Sequence, residues 1–157
     1  MPRGPIALLL ASASPARLAT LRAAGVDPEV RVSRVDEDQV VAAAQASLGE
    51  ALAAGDVALL LARAKAEDVA AALDAEGDDA ADLVLGCDSV LELDGEVHGK
   101  PADATEAIAR WHRMRGGAGT LHTGHWLVDR RDPAEGGSGG LVGGTASTVV
   151  HFADLAD

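Results

Sequence analysis

The sequence predicts a single α/β domain built on a mixed β-sheet. Short, continuous apolar runs alternate with Ala- and Leu-rich segments at helical spacing, the pattern of strands exchanging with helices. Two hairpin signals, Asp94-Gly95 and the Gly-rich tract of residues 130–144, interrupt that alternation, so a purely parallel sheet is excluded. A length of 157 residues suits one core and one domain.

Each element has its own signal. Ile6 to Ala11 is an apolar run ended by Ser12-Ala13-Ser14-Pro15, which reads as a buried strand and a tight turn. The following helix has Ser14 as its cap, Pro15 at the first position, where no amide hydrogen is needed, and Gly25 as the left-handed residue that ends it. Glu29 to Val35 alternates as a short strand. Val40 to Leu73 is Ala-rich and broken at Gly49 and Gly55, which predicts two helices, the second carrying Lys65 and an apolar face of Leu59, Leu60, Ala64 and Val69.

Leu83 to Leu85 is a short strand that leads into Gly86-Cys87-Asp88-Ser89, and Val90 to Leu93 continues to the Asp94-Gly95 turn, with Glu96 to Lys100 returning. Asp103 and Glu106 form a capping-box-like start for a helix to Arg115, stopped by Gly116-Gly117. Thr120 to Asp129 and Ala146 to Phe152 are the last strands, joined by the Gly-rich tract of residues 130–144, which reads as a mobile hairpin loop. Residues 152–157 have the pattern of an opening helix.

Composition narrows the function. With 13 basic and 25 acidic residues the formal charge is −12, which repels nucleic-acid backbones and anionic membranes, so any polyanionic ligand must meet a few locally placed cations. The longest apolar runs, Ile6 to Ala11 and Val57 to Ala62, are six residues long. A membrane-spanning helix needs about 20. The single cysteine, Cys87, has no internal disulfide partner, which is compatible with a cytoplasmic setting.

The cations are unevenly distributed: eleven arginines stand against two lysines, Lys65 and Lys100. A lysine ammonium is a compact charge suited to a phosphate oxygen in a tight site. The turn Ser12 to Pro15, between a buried strand and a helix N-terminus, has the outline of an anion site, and equally that of an ordinary helix cap. Arg17 lies one turn inside that helix. Asp88, expected where a strand opens toward solvent, and Asp36-Glu37-Asp38 could hold a hard divalent cation or be solvated turns. Gly95 to Pro101 is not a P-loop, since it has three residues between its glycines and a proline where Ser or Thr must hold magnesium. His122 and His125 point to opposite faces of a strand, which disfavours a shared metal, and Cys87 reads as a core thiol.

In order along the chain stand Leu10-Ala11-Ser12-Ala13-Ser14-Pro15-Ala16-Arg17, Val35-Asp36-Glu37, Ala64-Lys65-Ala66, Gly86-Cys87-Asp88-Ser89-Val90, Asp94 to Pro101, Met114-Arg115-Gly116 and His122-Thr123-Gly124. This series resembles the Maf family of nucleoside triphosphate pyrophosphatases over nearly the whole chain. The resemblance implies a bent mixed β-sheet flanked by helices, similar to that of inosine triphosphate pyrophosphatases. It implies hydrolysis of a nucleoside triphosphate, pyrimidine or modified, to monophosphate and pyrophosphate with Mg2+ or Mn2+. Carried over by position, Ser12, Arg17, Lys65 and Lys100 bind the phosphates, with Ser14 of the same turn, and Glu37 and Asp88 handle metal and attacking water; attack on the α-phosphorus then assigns catalytic roles to Asp88 as general base and to Lys65 and Lys100 as electrostatic stabilisers.

Two departures go with it. The family's turn usually has arginine after the proline, where this chain has Ala16. The family also continues past Phe152 with a helix, a Gly-rich segment and closing strands, so residues 1–157 are expected to form one Maf-like domain without that segment. Such a sheet exposes an edge, which leaves a homodimer open as an assembly. Both departures motivate an alternative, a catalytically impaired nucleotide-binding protein or regulator; a role in cell division is implied only by the family's link to septum formation.

Overall fold

The computed structural model describes residues 5–156 and is a mixed α/β structure. In chain order its elements are β1 (Leu8–Ala11), α1 (Pro15–Ala23), β2 (Glu29–Val30), α2 (Glu37–Leu48), α3 (Ala54–Glu76), β3 (Leu83–Leu93), β4 (Glu96–His98), α4 (Ala104–Met114), β5 (Ala118–Asp129) and β6 (Leu141–His151). A single turn of 3-10 helix, Pro133–Glu135, lies between β5 and β6. The sheet order is β2-β1-β3-β5-β6, with β4 also paired to β3. β1 runs parallel to β2 and β3, while the β3–β4, β3–β5 and β5–β6 pairs are antiparallel.

β3 organises the molecule. One of its edges pairs with β5 from Leu83 to Glu92. The other is shared: β1 takes residues 83–86 and β4 takes residues 91–93, so among the described residues no strand lies beside 87–90 on that side. Backbone groups there must find other partners, and one of them does so in the site described below.

Helix α3 lies along one face of the sheet. Its inner side contributes Val57, Ala58, Leu61, Ala62, Ala66, Val69 and Leu73, all nearly inaccessible to solvent. They meet Leu9, Ala11 and Val84 at one end and Val90 at the other, where Val40, Val41 and Leu52 also pack. The buried stripe is thus displaced from the expected one: of Leu59, Leu60, Ala64 and Val69, only Val69 is buried, because a helix this rich in Ala and Leu has apolar residues on every side and periodicity alone does not select one.

Four local expectations need correction. Gly49 does end α2, with φ of 74°, but Gly55 lies within the first turn of α3 and the chain breaks at residues 50–53 instead. The strand expected over Glu29 to Val35 pairs only at Glu29–Val30, and after the Arg31 amide bonds Leu10 O, β1 has already turned away at Ser12. Asp88 is not at a strand end, because Leu83 to Leu93 is one unbroken strand with β5 beside nearly all of it. Residues 152–156 are irregular rather than helical, and are bound back to the turn after α4 through Phe152 and Gly117.

The remaining boundaries move little. The capping predictions hold: Ser14 Oγ accepts from the Arg17 amide, Pro15 opens α1, and Asp103 caps α4 by accepting from the Glu106 amide. Asp94 and Gly95 both have positive φ, as a two-residue hairpin turn requires. The last strand starts earlier than expected and takes in residues 141–144. The connection of residues 130–140 is organised around Asp129, whose carboxylate accepts from the Arg131 guanidinium and from the Ser138 amide and hydroxyl.

Candidate active site

One cleft of about 810 Å³ collects residues from the Ser12–Arg17 turn, Glu37, Lys65, Asp88-Ser89 and the Val97–Lys100 segment, while Met114 to Gly116 and His122 to Gly124 do not line it. Ser12, Ser14, Arg17, Glu37, Lys65, Asp88 and Lys100 all line it, together with an apolar wall that includes Val41, Leu52, Val57 and Leu61. The fold explains the convergence. The β1–α1 turn, the start of α2, the middle of α3, the unpaired stretch of β3 and the segment after β4 all open to the same side.

In the β1–α1 turn, Ser12 is buried and its Oγ accepts from both the Ser14 amide and Arg17 Nη1, which leaves its own proton to donate. The Arg17 guanidinium also donates to the Cys87 carbonyl at 3.1 Å and to Ser89 Oγ at 3.1 Å. That carbonyl belongs to the stretch of β3 that has β5 on one side and no strand on the other among the described residues, and Arg17 supplies a bond to it. Its Nε–H and one Nη2–H keep no partner among the described residues.

At the centre, Lys65 Nζ lies 2.5 Å from Asp88 Oδ1 and 2.8 Å from Glu37 Oε1. Asp88 is buried, and burial pushes its carboxyl above the usual aspartate range, a rise that the Lys65 ammonium only partly offsets. Burial works against the Lys65 ammonium, but its bonds to Asp88 and Glu37 outweigh this and hold it above the ordinary lysine value. The pair therefore behaves as an ionised lysine restraining a carboxylate that is costly to ionise. Glu37 is half exposed and opens α2, where Asp36 is the cap.

Two carboxylates converging on one cation are what a hard divalent ion asks of a protein whose substrate phosphates and waters supply the remaining oxygens. Glu37 and Asp88 fit such an ion, provided that the ammonium gives way. No group of three or more His, Cys, Asp or Glu suited to a metal occurs among the described residues. His122 is engaged with Glu92 and Ser147, and His125 is exposed on the other face, as the odd separation required.

Lys100 is exposed in the cleft and makes no hydrogen bond or ion pair among the described residues. Arg110 of α4 donates to the adjacent Gly99 carbonyl at 2.5 Å and so ties down the backbone that carries it. Cys87 is buried and burial pushes its thiol up, which agrees with a core role. Sequence reasoning did not find the apolar wall or Gln45 beside it, because those residues are ordinary helix positions whose contacts depend on how α2 meets α3.

The model of the Maf-like protein family matches residues 7–157. A nucleoside triphosphate pyrophosphatase of Streptomyces coelicolor is 53% identical over 150 residues, covering 96% of this chain and 64% of that protein. One of Salinispora tropica is 49% identical over 153 residues, 98% of this chain and 61% of that protein, and one of Synechococcus sp. is 48% identical over 147 residues, 94% and 71%. The chain thus spans less than two thirds of the length of the first two of these relatives. With a family match over nearly all of its residues, the chain belongs to the Maf-like protein family.

Proposed function

We propose that this protein hydrolyses a nucleoside triphosphate to the monophosphate and pyrophosphate, with Mg2+ or Mn2+ as cofactor. The observation that carries the reading is charge placement. In a chain of net charge −12, Arg17, Lys65 and Lys100 face one cleft together with Glu37 and Asp88. The relatives named as nucleoside triphosphate pyrophosphatases support the same reaction.

In this reading Ser12, Ser14 and Arg17 receive phosphate oxygens at the α1 N-terminus, where the helix dipole favours negative charge. Lys100 neutralises the leaving pyrophosphate. Without the ion, Asp88 Oδ1 holds Lys65; in the reacting complex a carboxylate oxygen of Asp88 accepts a proton from the attacking water. As that proton moves, the water oxygen bonds to the α-phosphorus, the bond to the bridging oxygen breaks, and pyrophosphate leaves. Glu37 and Asp88 would hold the divalent ion, which supplies charge neutralisation on the phosphates when bound. Lys65, released from the carboxylates, then stands within reach of developing negative charge.

Free nucleotide is the proposed partner, and nucleic acid and membrane are not, in keeping with the acidic charge and with the finding that no helix among the described residues is long and apolar enough to cross a membrane. A cytoplasmic setting fits this substrate.

The test is incubation with Mg2+ and a panel of pyrimidine, purine and modified nucleoside triphosphates, with pyrophosphate and monophosphate measured separately. Equimolar release of both from a preferred nucleotide is expected. Nucleotide-induced thermal stabilisation without turnover would instead favour the binding-only alternative.

A further inference from the structure

We propose that Thr123 is a positioning residue of this site, acting through Ser89 to fix the guanidinium of Arg17 for a phosphate group. The inference rests on the proposed nucleotide reading and adds to it a residue that does not itself line the cleft. Thr123 on β5 stands directly opposite Ser89 on β3 in the ladder, and their hydroxyl oxygens are 2.9 Å apart. Ser89 Oγ accepts from Arg17 Nη2 at 3.1 Å, while Arg17 Nη1 donates to Ser12 Oγ at 2.8 Å and to the Cys87 carbonyl at 3.1 Å.

Proton direction gives Thr123 its role. Arg17 only donates, so Ser89 Oγ is an acceptor in that bond and has one proton of its own to place. Thr123 Oγ1 is the acceptor within reach. With that proton committed to Thr123, the lone pairs of Ser89 turn toward Arg17, and the two bonds polarise each other. Without it, the Ser89 hydroxyl is free to rotate, and Nη2 loses a fixed acceptor while Nη1 keeps both of its own. The guanidinium can then swing about the Nη1 side. Arg17 has the freedom to do so because it projects from α1, which has no buried residue of its own.

The decisive variants are Thr123→Val, which keeps the shape and the β-branch but removes the hydroxyl, and Thr123→Ser, which restores it. Two measurements are made on each: the heteronuclear NOE of the Arg17 Nε–H, which reports guanidinium motion, and the affinity for inorganic pyrophosphate by calorimetry. Thr123→Val is expected to lower the NOE and weaken pyrophosphate binding on the order of fivefold, the size of one ordinary hydrogen bond. Thr123→Ser is expected to restore both. Thr123→Ala removes the hydroxyl while leaving Ser89 in place and serves as the second variant if Thr123→Val does not fold. An unchanged NOE and affinity in Thr123→Val overturns the positioning role and leaves the nucleotide reading intact. Absence of pyrophosphate binding by the unmodified protein overturns the nucleotide reading, while the NOE still decides whether Thr123 fixes Arg17.

Discussion

A Cβ placed on Gly86 would fall 2.8 Å from the backbone nitrogen of Ala66, so β3 and α3 touch where only a glycine fits. Gly124, opposite Asp88 on β5, meets the Ala58 backbone in the same way. These two glycines bring α3 down onto the β3–β5 pair, and the depth of that contact places Lys65, next to Ala66, against Asp88, two residues from Gly86. The colliding atoms are backbone, so no side-chain rotation relieves an added methyl. Gly86→Ala is expected to destabilise the fold by about 1–3 kcal/mol or more, the usual cost of overpacking, and to lower turnover by separating Lys65 from Asp88. Urea unfolding and steady-state kinetics measure the two effects, and a variant as stable and active as the parent would refute the account of the contact.

Much of this was legible in the sequence. Caps and turns act locally, so Ser14, Asp103 and Asp94-Gly95 could be placed from their neighbours alone. Lys65 and Lys100 stood out as the only lysines, and both line the cleft. What failed was whatever depends on distant partners. Asp88 reads as a strand end because Gly86 breaks an apolar run, yet the glycine serves helix contact and the strand runs on. The extended segment after Val30 has a strand's pattern and, among the described residues, no strand to pair with. Ser89 and Thr123 are unremarkable in sequence and become linked only by the β3–β5 register.

Asp88→Asn tests the general base. Turnover should fall by about 10²–10⁴-fold, the span assigned to a positioned acid or base. Stability should not fall with it. Because burial raises the Asp88 carboxyl, the folded state binds that proton more tightly than the unfolded chain, and stability is lost as pH rises through the folded value. At neutral pH the ionised group works against folding, while the amide also takes the anionic partner from Lys65, so the two effects oppose and the melting temperature is expected to change little. Turnover near the parent's would transfer the proton to another group.

The same shift sets a pH profile. In the proposed mechanism Asp88 acts as the carboxylate, so kcat/KM should fall on the acid side at a pH above the ordinary aspartate value of about 3.9. Lys65 lowers the Asp88 value relative to burial alone. Lys65→Met should therefore move the acid limb to higher pH in addition to reducing the rate. A limb that stays in place, or moves to lower pH, would show that the ammonium does not hold the carboxylate ionised.

Lys100 differs from Lys65 in having no carboxylate to satisfy among the described residues. Lys100→Ala should change stability by no more than about 0.5 kcal/mol, as exposed substitutions away from special features do. Its effect should fall on substrate handling. Pyrophosphate affinity is expected to drop about tenfold, as for loss of a charge-assisted contact, and Lys100→Arg should restore it only in part, since a fork does not replace a point charge in a confined site. Calorimetry with pyrophosphate and a urea melt of each variant check both statements.

Asp129 supplies a prediction outside the cleft. The Arg131 guanidinium and the Ser138 amide and hydroxyl converge on its carboxylate and hold it well below the usual carboxylate range. A depressed folded value means that the unfolded chain takes up the proton first, so the stabilisation is present above about 3.9 and is lost as pH falls toward the folded value. Asp129→Asn lacks it at every pH. The variant should melt below the parent at pH 7, and the two melting temperatures should converge as the pH is lowered from 5 to 2. Because the same carboxylate gathers both ends of the connection between β5 and β6, limited proteolysis at pH 7 should cut residues 130–140 faster in the variant. Equal cleavage rates together with a gap in melting temperature that does not depend on pH would remove Asp129 as the organiser of that loop.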